Sequence, residues 1–119
     1  MIVELYNCDG RILNDVHKVE AIMVDAAKHA HARIVDVVFH TFNPHGISGV
    51  IVIAESHLAI HTWPEYNYAS VDIYTCGTEI DPLNAYHFLV RKFKAKNQTM
   101  LELKRGVLPI PARLLKHKP

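Results

Sequence analysis

From Ile34 to Thr75 the sequence passes through successive strand-like segments joined by connections of only a few residues. Ile34 to Phe42 is rich in β-branched and aromatic residues, and Gly49 to Ala54 is a short apolar run. Leu58 to Thr62 and Ala69 to Thr75 follow. Turn-forming stretches divide them, first Pro44-His45-Gly46 and later Pro64-Glu65-Tyr66-Asn67. Parallel neighbours need crossovers of a dozen residues or more, so links this short favour antiparallel pairing.

The flanks supply what covers such a sheet. Ile2 to Tyr6 reads as a first strand, and Thr99 to Leu103 as a last one. Asn14 is a good N-cap for a helix running to about His31, with Val16, Val19, Met23, Ala26, Ala27 and Ala30 on one apolar stripe. A second helix opens at Asp81-Pro82, where aspartate caps and proline takes the first helical position. Its inward face would carry Tyr86, Leu89, Val90 and Phe93. The expected fold is α+β: an antiparallel β-sheet covered on one face by two helices, an α/β sandwich.

A chain of 119 residues has room for one domain, taken as 1–119 with 107–119 as a tail. Thirteen basic and twelve acidic residues leave a charge of +1, and the body has no basic stripe for nucleic acid. Only Lys104 to Lys118 is biased toward basic residues, which reads as a solvated extension. Cys8 and Cys76 form neither a metal spacing nor a disulfide framework. Met1-Ile2-Val3-Glu4 lacks a secretory signal pattern, and the run Val50 to Ala54 is far too short to cross a bilayer. The expectation is a soluble cytoplasmic protein with no membrane partner.

Polar residues interrupt the apolar pattern most sharply from Ala54 to Glu65, in Ala-Glu-Ser-His-Leu-Ala-Ile-His-Thr-Trp-Pro-Glu. Buried without partners, such groups cost roughly 1–3 kcal/mol each, so they are hydrogen-bonded structural groups or parts of a site. On a strand, His57 and His61 would lie about 13 Å apart, too far to share a metal ion. Ser56 does not sit in a G-x-S-x-G elbow. Spacing alone therefore leaves Ser56 as a turn hydroxyl, the histidines as satisfied sheet polars, and Cys76 as a small buried hydrophobe.

A resemblance changes the weight of these residues. Ile47-Ser48-Gly49, Glu55-Ser56-His57-Leu58, Ile60-His61-Thr62-Trp63-Pro64-Glu65 and Tyr74-Thr75-Cys76-Gly77 closely resemble the prokaryotic S-adenosylmethionine decarboxylase proenzymes. The similarity extends from Val3-Glu4-Leu5 with Cys8-Asp9 to Lys104-Arg105-Gly106. Two departures stand out: the sequence starts after a Gly-Arg-His segment common in the family, and it carries the additional tail Val107 to Pro119.

The resemblance implies a self-processing, pyruvoyl-dependent decarboxylase. The Ser56 hydroxyl would attack the Glu55 carbonyl, and the chain would divide into 1–55 and 56–119, the latter beginning with a pyruvoyl group made from Ser56. Ser48 matches a residue that bonds the oxyanion or the shifting carbonyl, and His61 the histidine that assists processing. The pyruvoyl ketone would form a Schiff base with the substrate amine, and Cys76 would protonate the substrate carbon after carbon dioxide leaves. Phe42 and Trp63 would offer aromatic surfaces to the adenine or the sulfonium of S-adenosylmethionine, with Glu65 facing the ribose or the sulfur. A homodimer with its active sites between protomers is implied, with spermidine synthesis as the use of the product. Arginine decarboxylation on the same fold, or an unprocessed non-catalytic paralogue, are the alternatives.

Overall fold

The computed structural model describes residues 1–77, 79–114 and 116, Ala112 by its backbone alone. Six strands form one sheet: β1 (Ile2–Tyr6), β2 (Ile34–Thr41), β3 (Ile47–Ile53), β4 (Ser56–Trp63), β5 (Tyr68–Tyr74) and β6 (Asn97–Leu101). Their spatial order is β2-β3-β4-β5-β1-β6, and every neighbouring pair is antiparallel. The helices are a single turn, α1 (Gly10–Leu13), and two longer ones, α2 (Val16–His29) and α3 (Pro82–Lys92). The expected α+β sandwich is observed.

One face of the sheet meets the helices. Leu5, Ile51, Leu58, Ile60 and Ile73 from the strands pack with Val19, Met23, Ala26 and Ala27 of α2, and with Ala85 and Leu89 of α3. Alternation sends the neighbouring strand residues to the other face, which no helix among the described residues covers. On β4 this separates buried Leu58, Ile60 and Thr62 from His57, Ala59, His61 and Trp63. Among the described residues no helix is long and apolar enough to cross a membrane.

Several expected boundaries shift, each for a local reason. Asn14 does not open the long helix; it closes α1, and its Oδ1 accepts from the Gly46 amide at 3.2 Å. Asp15 is the N-cap instead, its carboxylate accepting from the amides of His17 and Lys18 at 3.1 and 3.2 Å. β3 starts at Ile47, which pairs with Thr41, and ends at Ile53, because Ala54 and Glu55 form the turn before Ser56. β4 extends to Ser56 and Trp63 because both keep partners, Ile53 and Tyr68. β6 stops at Leu101, where its partner β1 begins at Ile2, and not at Leu103. Ala85, Phe88 and Leu89 of α3 and Phe93 just after it are buried, while Tyr86 and Val90 lie at the edge of the core. The described part of the 107–119 tail is exposed and includes one 3₁₀ turn, Ala112–Leu114.

Two close contacts fix the sheet beside the helices. A Cβ built on Gly49 would come within 2.1 Å of the Phe39 ring, so only glycine lets β2 and β3 meet there. Among the described residues, Thr62 is the polar side chain buried in the core. Its hydroxyl donates to the Leu13 carbonyl at 2.9 Å and accepts from the Ile47 amide at 3.0 Å, tying α1 to two strands. Thr62→Val keeps the shape and removes both bonds. It should lower stability by about 1–3 kcal/mol, read as a reduced melting temperature with secondary structure retained. An unchanged melting temperature would show that this bridge does not hold α1 to the sheet.

Candidate active site

The β3–β4 turn presents residues 54–56 at one end of the sheet. Ala54 donates its amide to the Arg33 carbonyl at 2.9 Å, and the Glu55 carboxylate accepts from the Arg33 amide at 3.2 Å. These bonds orient the Glu55–Ser56 peptide. Ser56 has φ +148°, a region that residues with a Cβ rarely occupy. The Cys76 thiol, just beyond the end of β5, donates to the Glu55 carbonyl oxygen at 3.0 Å. An S–H donor therefore rests on the carbonyl that a serine hydroxyl follows in sequence.

The two cysteines differ sharply. Cys8 is buried, and loss of solvent pushes its thiol up to about 11. Cys76 is exposed, which corrects the default expectation of a buried hydrophobe. Its place after the last β5 residue takes it out of the packed layer.

Ser48 and His61 face each other across β3 and β4 on the uncovered face. The Ser48 hydroxyl and His61 Nδ1 share a hydrogen bond of 2.7 Å, the hydroxyl donating when the ring proton is on Nε2. Beside them is a cavity of about 290 Å³ lined by Phe42, His45, Ser48, His61, Trp63 and Glu65, among others. Trp63 stacks on Tyr68 at 5.1 Å, and Tyr68 on Tyr6 at 5.4 Å, forming an aromatic shelf. Glu65 is paired with His45 Nε2 at 2.8 Å.

The expected residues thus fall into two groups. Glu55, Ser56 and Cys76 come together at the turn. Ser48, His61, Phe42, Trp63 and Glu65 come together farther along the strands. His61 lies five residues from Ser56 on β4, about 16 Å at the rise of a strand. Within one chain His61 cannot reach Ser56.

Glu4 was not singled out in the sequence, although an acidic residue inside a strand marks the side away from the core. It accepts from Ser70 Oγ at 2.6 Å and from the Tyr68 hydroxyl. Burial, then this carboxylate, hold the Tyr68 phenol above its usual range. Among the described residues no group of three or more His, Cys, Asp or Glu could hold a metal ion.

Residues 1–106 match the family described as S-adenosylmethionine decarboxylase. The chain belongs to that family. It is 53% identical over 109 residues to the S-adenosylmethionine decarboxylase proenzyme of Pelotomaculum thermopropionicum, covering 92% of this chain and 86% of that one. The proenzyme of Carboxydothermus hydrogenoformans is 56% identical over 108 residues, covering 91% and 85%. The fold is also similar to the crystal structure of the adenosylmethionine decarboxylase from Aquifex aeolicus, with TM-score 0.73, 34% identity and coverage of 82% and 81%. The resemblance on the Glu-Ser-His-Leu and His-Thr-Trp-Pro-Glu blocks and these matches agree on an enzyme family.

Exposure separates the thiols experimentally. Brief treatment of the folded protein with iodoacetamide should alkylate Cys76 and spare Cys8, as read by peptide mass spectrometry. Equal labelling of both would contradict the burial of Cys8.

Proposed function

We propose that the chain cleaves itself between Glu55 and Ser56 and then decarboxylates S-adenosylmethionine with the pyruvoyl group that results. The product, S-adenosylmethioninamine, would serve as aminopropyl donor for spermidine. The contact of the Cys76 thiol with the Glu55 carbonyl carries this reading, because it puts a donor where negative charge would develop.

The residues at the turn suit each step. Ser56 Oγ adds to the Glu55 carbonyl carbon, and the bond from that carbon to the Ser56 nitrogen breaks, converting amide to ester. The unusual φ at Ser56 raises the starting state by about 1–3 kcal/mol and favours that shift. A base then takes the α-proton of residue 56, and the ester Cβ–O bond breaks, releasing chain 1–55 as a carboxylate. Water adds at the remaining end as ammonia leaves, which gives the pyruvoyl group. When formed, that group supplies a ketone that captures the substrate amine and accepts the electron pair as carbon dioxide departs. Cys76 donates the proton that replaces the carboxylate on the substrate carbon.

His61, held by Ser48, is the base, and it acts from a partner protomer. The distance from His61 to Ser56 within one chain supports this assignment. So does the uncovered sheet face, where Val38, Val52 and Ile2 are exposed. A homodimer would bring one protomer's turn to the other's Ser48–His61 pair and cavity. The cavity favours S-adenosylmethionine over arginine: two aromatic side chains line it, and its one carboxylate already carries a histidine partner.

Purified protein should resolve on a denaturing gel into fragments 1–55 and 56–119, whereas Ser56→Ala should stay whole. Cleavage of the alanine variant at the same bond would sink the mechanism, and so would an uncleaved wild-type chain. Release of carbon dioxide from S-adenosylmethionine but not from arginine tests the substrate. Cys76→Ala should still be cleaved, about tenfold slower, yet lose about 10²–10⁴-fold in turnover.

Sharing of sites between protomers has its own test. Ser56→Ala and His61→Ala chains should each be inactive alone. Co-expressed, they should pair at random and restore about a quarter of the wild-type sites, with cleavage confined to the His61→Ala chain. If the mixture stays uncleaved while the two chains co-purify as a dimer, His61 does not act across the interface.

A further inference from the structure

His57 follows the proposed cleavage position directly, and a cluster of side chains on the uncovered face adjoins it. Its Nε2 donates to Asp72 Oδ2 at 3.2 Å, diagonally across β4 and β5. Tyr74, directly opposite on β5, tilts against the imidazole with ring centroids 5.6 Å apart. Arg105, from the segment after β6, donates to both Asp72 oxygens at 3.1 and 3.3 Å. The same guanidinium lies 3.7 Å from the Tyr74 ring centroid. Asp72 thus holds His57 on one side and Arg105 on the other, and Tyr74 touches both.

Before cleavage, residue 56 is anchored by the peptide on each side. Afterwards it is a free strand end, held to the sheet through the residue that follows it, His57. Arg105 reaches Asp72 past β1, which lies between β5 and β6 in the sheet. Arginine suits this contact because it can pair with a carboxylate and stack on an aromatic ring at once.

We propose that Asp72 is a positioning residue. With Tyr74 and Arg105 it clamps His57, keeping the new chain end at residue 56 aligned with the substrate once the link to Glu55 has gone. The inference rests on the cleavage reading above and adds to it a group that the self-cleavage chemistry does not use.

The clamp makes a specific split between steps. Asp72→Ala should be cleaved at a rate within about threefold of wild type, because the backbone still holds Ser56 during that step. Its kcat per cleaved chain, measured on S-adenosylmethionine, should fall about tenfold to 100-fold with KM changed by about twofold or less. Asp72→Asn, which keeps an acceptor for His57, should recover part of the loss. His57→Ala combined with Asp72→Ala should be no worse than the poorer single variant. Arg105→Ala, on an exposed segment, gives the same readout if the Asp72 variants do not fold, with a smaller fall in kcat.

Wild-type kcat in cleaved Asp72→Ala or Arg105→Ala overturns the clamp and leaves the cleavage reading intact. Losses that add fully in the double variant do the same. A loss that disappears at higher protein concentration assigns the cluster to subunit contact and also overturns it. A wild-type chain that stays whole defeats the cleavage reading and takes this inference with it.

Discussion

The register of β4 between β3 and β5 is the constraint on which the rest depends. A slip of one residue on either side would drive His57, His61 and Trp63 into the core and expel Leu58, Ile60 and Thr62. Both neighbours oppose that slip, because β3 and β5 bury Ile51, Ile53, Val71 and Ile73 on the same side. Thr62 adds a polar lock, since its hydroxyl fits the Leu13 carbonyl and Ile47 amide in this register alone. Packing energy on one face is thereby converted into positions on the other.

That division explains how a small domain can present much chemistry on one face. The helix side supplies rigidity. The uncovered side carries the Ser48–His61 pair, the Glu4 network, the aromatic shelf and the His57 cluster. The sheet separates Ser56 from His61 along one strand, so their cooperation in the proposed chemistry requires a second copy. In that reading, symmetry would supply what the length of a single chain cannot.

The architecture could be read from the sequence because its signals were local: short links between strands, and apolar stripes on two helices. The boundaries were harder, since they depend on partners. β6 ends where β1 begins, and Asn14 serves the Gly46 turn instead of a helix start. The candidate residues of the proposed chemistry were singled out through the resemblance of their motifs, whereas spacing alone left Ser56 as a turn hydroxyl. Their arrangement in two groups follows from register, which no motif records. Arg105 and Asp72, 33 residues apart, meet only once β1 has been laid between β5 and β6.

The backbone at Ser56 bears on when the proposed cut can occur. An unfolded chain has no reason to hold that residue at φ +148°, and its Cys76 wanders freely, 21 residues from Glu55. The strained serine and the thiol on the carbonyl arise only after β3, β4 and β5 have zipped together. Scission would therefore act as an inspection stamp: a molecule acquires its reactive end only by having folded. A chain emerging from the ribosome, which has not yet formed that hydrogen-bond ladder, would be spared the cut until the strands pair.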